Sequence, residues 1–227
     1  MVKKKVLGIS FGRKMSNTEV MIKHALLECE KAGYEIKFIR ADDLNIHICT
    51  GCISCVIGMT TGRGNGNCVL KDDFYIIDEA VMESDAVIVG SPVYEMTPTG
   101  NFKVVCDRIG PSHDISFRKT TYDSGLSDGK DKSLLPDERS FKKRVGALVA
   151  VGGAMTENWV TFALPTMFAF PMSLGIDVVD TYKYFGAMSY EHVLGNEKVM
   201  ERMSSLGQHI VKALKADNEE ERTKWRG

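Results

Sequence analysis

Four cysteines, Cys49, Cys52, Cys55 and Cys68, are the residues of this chain best suited by type and spacing to do chemistry. The first three fall in C-T-G-C-I-S-C, with two residues in each gap, and twelve residues separate Cys55 from Cys68. Thiolates at that repeat can converge on one centre from a single tight loop. Three of them suit a cuboidal iron–sulfur cluster, each iron of which needs one thiolate, and the fourth ligand can arrive from further away. Such a site would handle electrons. Other chemistries use cysteine too. Four-cysteine zinc sites usually come as two separated pairs, a disulfide framework suits a small secreted domain, and thiols without a metal are idle or redox-sensing. Gly58, Gly62, Gly64 and Gly66 make the segment before Cys68 a flexible tether, able to carry it back to the other three.

A second constellation surrounds short glycine- and proline-bearing loops. Ser10 to Glu19 reads S-F-G-R-K-M-S-N-T-E, with a glycine, two cations and several hydroxyl or amide side chains ahead of a helix. Backbone N–H groups and the helix dipole make such a loop a phosphate cradle. It lacks both the nucleotide-hydrolysing G-x-x-x-x-G-K-[ST] and the dinucleotide G-x-G-x-x-G patterns. Ser16 and Glu19 also have the spacing of a capping box, and a carboxylate facing a phosphate would repel it, so Glu19 is expected to point away. The loop Ser91 to Thr99 holds Tyr94 and Met96 between two prolines, which fix the backbone behind a flat apolar wall. Both residues could equally be ordinary packing. Gly152-Gly153 lets a planar ligand approach main chain closely. Phosphate cradle, rigid aromatic loop and diglycine together describe a mononucleotide with a flat ring, which flavin mononucleotide (FMN) fits.

The elements that must position these loops are legible as alternating apolar runs. Strands are expected at Lys4 to Ser10, Tyr34 to Arg40, Asp85 to Gly90, Arg144 to Val151 and Ile176 to Phe185. Helices are expected at Asn17 to Ala32, Lys71 to Met82, Phe102 to Ile109, Asn158 to Ser173 and Asn196 to Lys215. Five alternations predict one doubly wound α/β domain over 1–227, a five-stranded parallel sheet with helices on both faces. Loops at the carboxyl ends of its strands form the ligand crevice, and these are Ser10–Asn17, the cysteine loop 46–69, Ser91–Thr99 and Gly152–Asn158. Cys29 and Cys106 fall in helices and read as small buried hydrophobes.

A polar, aperiodic stretch over 110–140 interrupts the pattern, and loops of that length are functional or mobile. It brings His113, Asp114, Arg118 and Lys119 close after the proline loop. A lid over a small anionic substrate, a quinone or an aromatic acid, is one reading, with His113 as proton donor. A solvated loop with an incidental histidine is the other.

Composition narrows the class. Hydrophobic residues make up 44% of the 227 and charged residues 26%, as in ordinary globular proteins. A net charge of −1 gives no nucleic-acid surface, and no apolar run is long enough to span a bilayer. Six cysteines behind an N-terminus without a secretory pattern predict a reducing cytoplasm.

The motifs S-F-G-R-K-M-S-N-T, C-T-G-C-I-S-C…C-V-L-K-D-D, G-S-P-V-Y followed by K-V-V-C-D-R, and V-G-G cover roughly Lys4 to Gly153. In combination they resemble the iron–sulfur flavoproteins within the flavodoxin-like, NAD(P)H-dependent FMN reductase family. The resemblance implies a flavodoxin-like fold with non-covalent FMN, in a homodimer or homotetramer with flavins near subunit interfaces. It implies that Ser10, Arg13, Ser16, Asn17 and Thr18 hold the phosphate, that Pro92, Val93, Tyr94, Met96, Gly152 and Gly153 frame the ribityl chain and ring, and that Cys49, Cys52, Cys55 and Cys68 ligate a [4Fe–4S] cluster. The chain departs from the pattern in its longer gap before Cys68 and in its 110–140 insertion. The expected function is an FMN- and iron–sulfur-dependent oxidoreductase passing electrons between NAD(P)H or a protein donor and a small acceptor, a quinone or aromatic compound. The alternatives are a cluster-free FMN or quinone reductase and a non-catalytic electron carrier.

Overall fold

The computed structural model describes residues 3–61, 63–113, 139, 142–189 and 192–216. In chain order these form β1 (Lys5–Ser10), α1 (Asn17–Lys31), β2 (Glu35–Arg40), α2 (Ser54–Thr61), α3 (Phe74–Glu83), β3 (Ala86–Tyr94), β4 (Thr97–Pro98), α4 (Gly100–His113), β5 (Arg144–Val151), α5 (Ala163–Met167), α6 (Ala169–Ser173), β6 (Ile176–Tyr184) and α7 (Glu197–Lys215). Five strands run parallel in the order β2-β1-β3-β5-β6, and the two-residue β4 turns back antiparallel on β3. This is the expected flavodoxin-like α/β sheet, with its switch point between β1 and β3, where such folds bind ligands.

The central strands are apolar because both faces are covered. β5 is buried at every position, and β1 at all but its first. One face packs with α3 to α6 through residues such as Phe74, Phe102 and Phe170. The other packs with α1 and α7 through Met21, Ile22, Leu26, Met203 and Ile210. Edge strand β2 alternates instead, with one side more open.

Arg144, fully buried at the start of β5, ties the sheet to the end of α3. Its Nε donates to the Val81 carbonyl at 3.0 Å and its Nη2 to the Met82 carbonyl at 2.9 Å. Nη1 donates to the Lys142 carbonyl at 3.0 Å, and Nη2 also to that of Arg139 at 2.6 Å. The carbonyls of a last helical turn have no intrahelical partner, and here the guanidinium supplies one.

Three elements differ from expectation. The cysteine loop contains a helix, α2, whose S-C-V-I-G-M-T-T sequence has weak helix propensity. Packing sustains it: Met59 is buried, and its sulfur would be only 2.5 Å from a Cβ on Gly66. The single helix expected over 158–173 is a 3-10 turn (Glu157–Val160) followed by α5 and α6. Pro165 and Pro171 account for the breaks, since proline removes a donor and crowds the preceding turn. Strand β3 continues past Gly90 to Tyr94, because Ser91 and Pro92 still pair with Ala150 and Val151. The 110–140 insertion with Asp114, Arg118 and Lys119 lies, beyond His113 and Arg139, outside the described residues. Among the described residues no helix is long and apolar enough to cross a membrane.

Candidate functional site

At the carboxyl edge, the loops after β1, β3, β5 and β6 enclose a cavity of about 290 Å³, close to the lower bound for small-molecule sites. Arg13, Ser16, Asn17, Thr18, Pro92, Val93, Tyr94 and Gly153 line it, as the sequence led one to expect. Val151 and the run Ala187-Met188-Ser189 line it too, and these were not anticipated. The missed run follows β6, and the carboxyl-edge rule applied to that strand would have found it.

The loop after β1 is shaped by backbone contacts. The Phe11 N–H donates to the Gly90 carbonyl at 2.9 Å, and the Gly12 N–H to Ser10 Oγ at 3.2 Å. Ser10 therefore stands behind the cavity as a turn-former. A Cβ on Gly12 would lie 2.4 Å from Ser16 Oγ, so only glycine leaves the helix cap in place. Ser16 caps α1 by accepting from the Glu19 N–H at 3.3 Å. The N–H groups of Asn17 and Thr18 begin the helix with no carbonyl one turn earlier to receive them. With the helix dipole and the exposed Arg13 beside them, they have the chemistry to hold an anion.

Glu19 turns away from this site, as electrostatics requires. Its Oε2 accepts from the Met15 N–H at 3.0 Å and from Arg40 Nε at 2.9 Å, and its Oε1 from Lys23 Nζ at 2.5 Å. Burial pushes the carboxyl pKa up, but Arg40, Lys23 and the Met15 N–H outweigh it and bring it from 4.5 down to about 2.

The loop after β3 closes as a two-residue hairpin, Tyr94 pairing with Thr97. Both central residues have positive φ, Glu95 at 47° and Met96 at 68°. A type I′ turn demands this, and glycine or asparagine usually supplies it. Met15 and Ile53 also have positive φ, at 57° and 51°. Among the described residues these four are the non-glycine residues so held, and all lie in the loops after β1, β2 and β3. Met96 sits in the turn rather than in the cavity wall, while Tyr94 and Met188 at the mouth are 60% and 72% exposed. Gly152 is likewise withdrawn. A Cβ there would lie 2.2 Å from Val160 Cγ1, so the residue makes room for Val160, and Gly153 alone of the pair faces the cavity.

Cys49, Cys52, Cys55 and Cys68 line a separate pocket of about 100 Å³ together with Asp107 and Arg108. Gly51 and Ile53 take positive φ between the first three. The Cys55 thiol is raised in pKa by burial and further by Cys68 and Cys52, so these thiols are electrostatic neighbours. Among the described residues, however, no group of three or more Cys, His, Asp or Glu side chains stands at metal-binding distances. The donor set is all-thiol, as an iron–sulfur cluster requires, and gathered in one cavity. Cys29 and Cys106 are elsewhere, buried, with burial pushing each thiol up to about 12.

His113 is not part of either cavity. It ends α4, and 14 residues of helix put it ~20 Å from Gly100 beside the flavin loop. It is buried, with Nε2 2.6 Å from Asp78 Oδ1 on α3, a contact without hydrogen-bond angles. A larger hollow of about 400 Å³ runs along the outer edge of β6 from Phe168 to Thr181. Its Asp180 is already bonded to Arg202 and His209.

A parallel sheet with a helix start and a small-molecule-sized cavity at its switch point defines a flavodoxin-like protein. Residues 5–185 match the model of the NADPH-dependent FMN reductase family, and the chain belongs to that family. It is 32% identical over 222 residues to flavone synthase cfoJ of Aspergillus candidus, which covers 96% of this chain and 66% of that protein. An iron-sulfur flavoprotein of Archaeoglobus fulgidus is 37% identical over 99 residues, 44% of this chain and 42% of its own length. In structure, a flavone reductase superposes with a TM-score of 0.76 at 25% identity, over 93% of this chain and 63% of that one. An apo NADH:FMN oxidoreductase gives 0.59 at 16% identity, over 97% and 94%, a likeness of fold. The chain spans about two thirds or less of the length of the relatives it matches in sequence.

Proposed function

We propose that this chain is an FMN-dependent oxidoreductase that takes electrons from NAD(P)H and delivers them to a small, flat aromatic acceptor. The observation that carries this is the cavity where the start of α1, Arg13, the Pro92–Tyr94 segment and Gly153 converge. Bound there, FMN would supply hydride and single-electron chemistry. The protein's own part is to bind and orient. The Asn17 and Thr18 N–H groups and Arg13 hold the phosphate, Pro92 and Val93 fix the ribityl side, and Gly153 lets the ring lie against main chain. Tyr94 and Met188 offer an apolar mouth against which an aromatic acceptor stacks. Flavones and quinones both suit it, each taking two electrons and two protons. The flavone class is favoured by two relatives that cover most of the chain, a flavone synthase and a flavone reductase. His113 has no role in this mechanism.

The four cysteines would hold a [4Fe–4S] cluster, which exchanges electrons singly. The gathering of all four around one pocket supports this, as do the relatives named iron-sulfur flavoproteins. A second reading, a cluster-free reductase, is favoured by the separation of the thiols beyond metal-binding distances among the described residues. Anaerobic purification with flavin, iron and acid-labile sulfide counts, followed by NADH and NADPH oxidation with a flavone or a quinone, tests both. Colourless protein without flavin would sink the proposal. Yellow protein without iron would select the cluster-free reading.

A further inference from the structure

We propose that Arg108 is a positioning residue of the cysteine site, fastening the base of its loop and presenting its Nε–H to the sulfur of Cys68. The role rests on the reading that the four cysteines hold a cluster.

Arg108 is 1% exposed and lines the cysteine pocket. Its Nη1 meets Asp72 Oδ2 at 2.5 Å and the His47 carbonyl at 3.4 Å, and its Nη2 donates to the Leu70 carbonyl at 3.2 Å. Asp72 in turn accepts from the His47 N–H at 2.8 Å and the Phe74 N–H at 3.1 Å. His47 lies two residues before Cys49, and Leu70 two residues after Cys68. One buried ion pair thus grips the loop at both ends. The guanidinium also lies over the Phe74 ring, 4.3 Å from its centroid, so its plane is fixed.

One nitrogen is left over. Arg108 Nε is buried and has no hydrogen-bond partner among the described residues. An unmet buried donor is destabilising, and an acceptor in the adjoining pocket would remove that cost. Cys68 is the neighbouring thiol. Burial lowers the Arg108 pKa, and Asp72 and Cys68 more than offset it. Because Asp72 already balances the positive charge, what Arg108 adds to the pocket is an oriented N–H, not net charge. Hydrogen bonds to ligating sulfur raise a cluster's reduction potential. Lysine at this position would keep the ion pair and lose the Nε–H, which separates the two contributions.

The test reconstitutes wild-type, Arg108→Lys and Asp72→Asn/Arg108→Gln proteins anaerobically and measures iron, sulfide and reduction potential. The double variant removes the buried pair together, so it serves if the lysine variant fails to fold. The expected result is about four irons in each protein, with the variants' one-electron equilibrium shifted at least tenfold toward the oxidised form, or 59 mV. Wild-type protein without iron overturns the cluster reading and this role with it. Wild-type protein with iron, and variants at the wild-type potential, overturn the role of Arg108 alone.

Discussion

Asn17 Nδ2 donates to the Ser189 carbonyl at 2.5 Å, while Asn17 Oδ1 accepts from the Val193 N–H at 3.3 Å. One side chain at the start of α1 therefore fixes the segment after β6, which the cavity needs as its far wall. The Asn17 amide serves the protein, leaving the Asn17 backbone N–H for the anion.

Asn17→Ala should release that wall. Leaving the buried Val193 N–H unpaired costs about 1–3 kcal/mol, and FMN affinity should fall about tenfold, equivalent to 1.4 kcal/mol. Titrating apo-protein with FMN by fluorescence reads this. Asn17→Asp keeps the acceptor, and should retain the Val193 contact while losing the Ser189 one.

Glu19 gives a pH signature. Its folded pKa is depressed from 4.5 to about 2, so its stabilisation is complete above about 4.5 and is lost as the pH falls toward 2. Glu19→Gln should cost roughly 2 kcal/mol at pH 7, and the gap to wild type should narrow steadily below pH 4. Urea midpoints at pH 7, 4 and 3 measure it. A constant gap across that range would remove the carboxylate from the account.

The Glu95–Met96 turn holds two side-chain residues where glycine and asparagine are at home. Replacing the pair by Asn-Gly should raise stability by about 1–2 kcal/mol without moving the strands. A higher thermal midpoint of the apo-protein would show the strain, and an unchanged one would mean that neighbours have relaxed it.

Arg144→Met should destabilise by about 3 kcal/mol, since it removes the guanidinium's buried hydrogen bonds to the carbonyls at the end of α3. Hydrogen exchange should localise the loss to α3 and the start of β5, leaving the FMN edge protected.

Thiol labelling separates the cysteines. In the apo-protein at pH 8, iodoacetamide should modify Cys49, Cys52, Cys55 and Cys68 and spare Cys29 and Cys106, whose thiols burial holds near 12. Reaction at either buried cysteine under native conditions would contradict the packing described.

The sheet was legible because its strands are short apolar runs between glycines and polar turns, and β5 ends where its pattern does. Most of the lining of the carboxyl-edge cavity was legible too, since Arg13 and Ser16 to Thr18 follow a strand directly and Pro92 to Tyr94 end one. What was not legible depends on contacts between distant segments. The withdrawal of Gly152 behind Val160 leaves no local mark, and Ala187 to Ser189 are signalled only by their place after β6. His113 looked available because it follows the flavin loop closely in sequence, and a straight helix carries it to the other end of the sheet. The helix in the cysteine loop was hidden by β-branched residues and a glycine, and it persists because Met59 found a place to bury.

The grip of Arg108 and Asp72 on His47 and Leu70 makes the segment between them an interchangeable cassette. Its two ends are joined to each other and to α4, not to the sheet, so a loop of different length or ligand content could be grafted between 47 and 70 with the flavin edge untouched. A family with one flavin scaffold could gain, lose or exchange a second redox centre by that route alone.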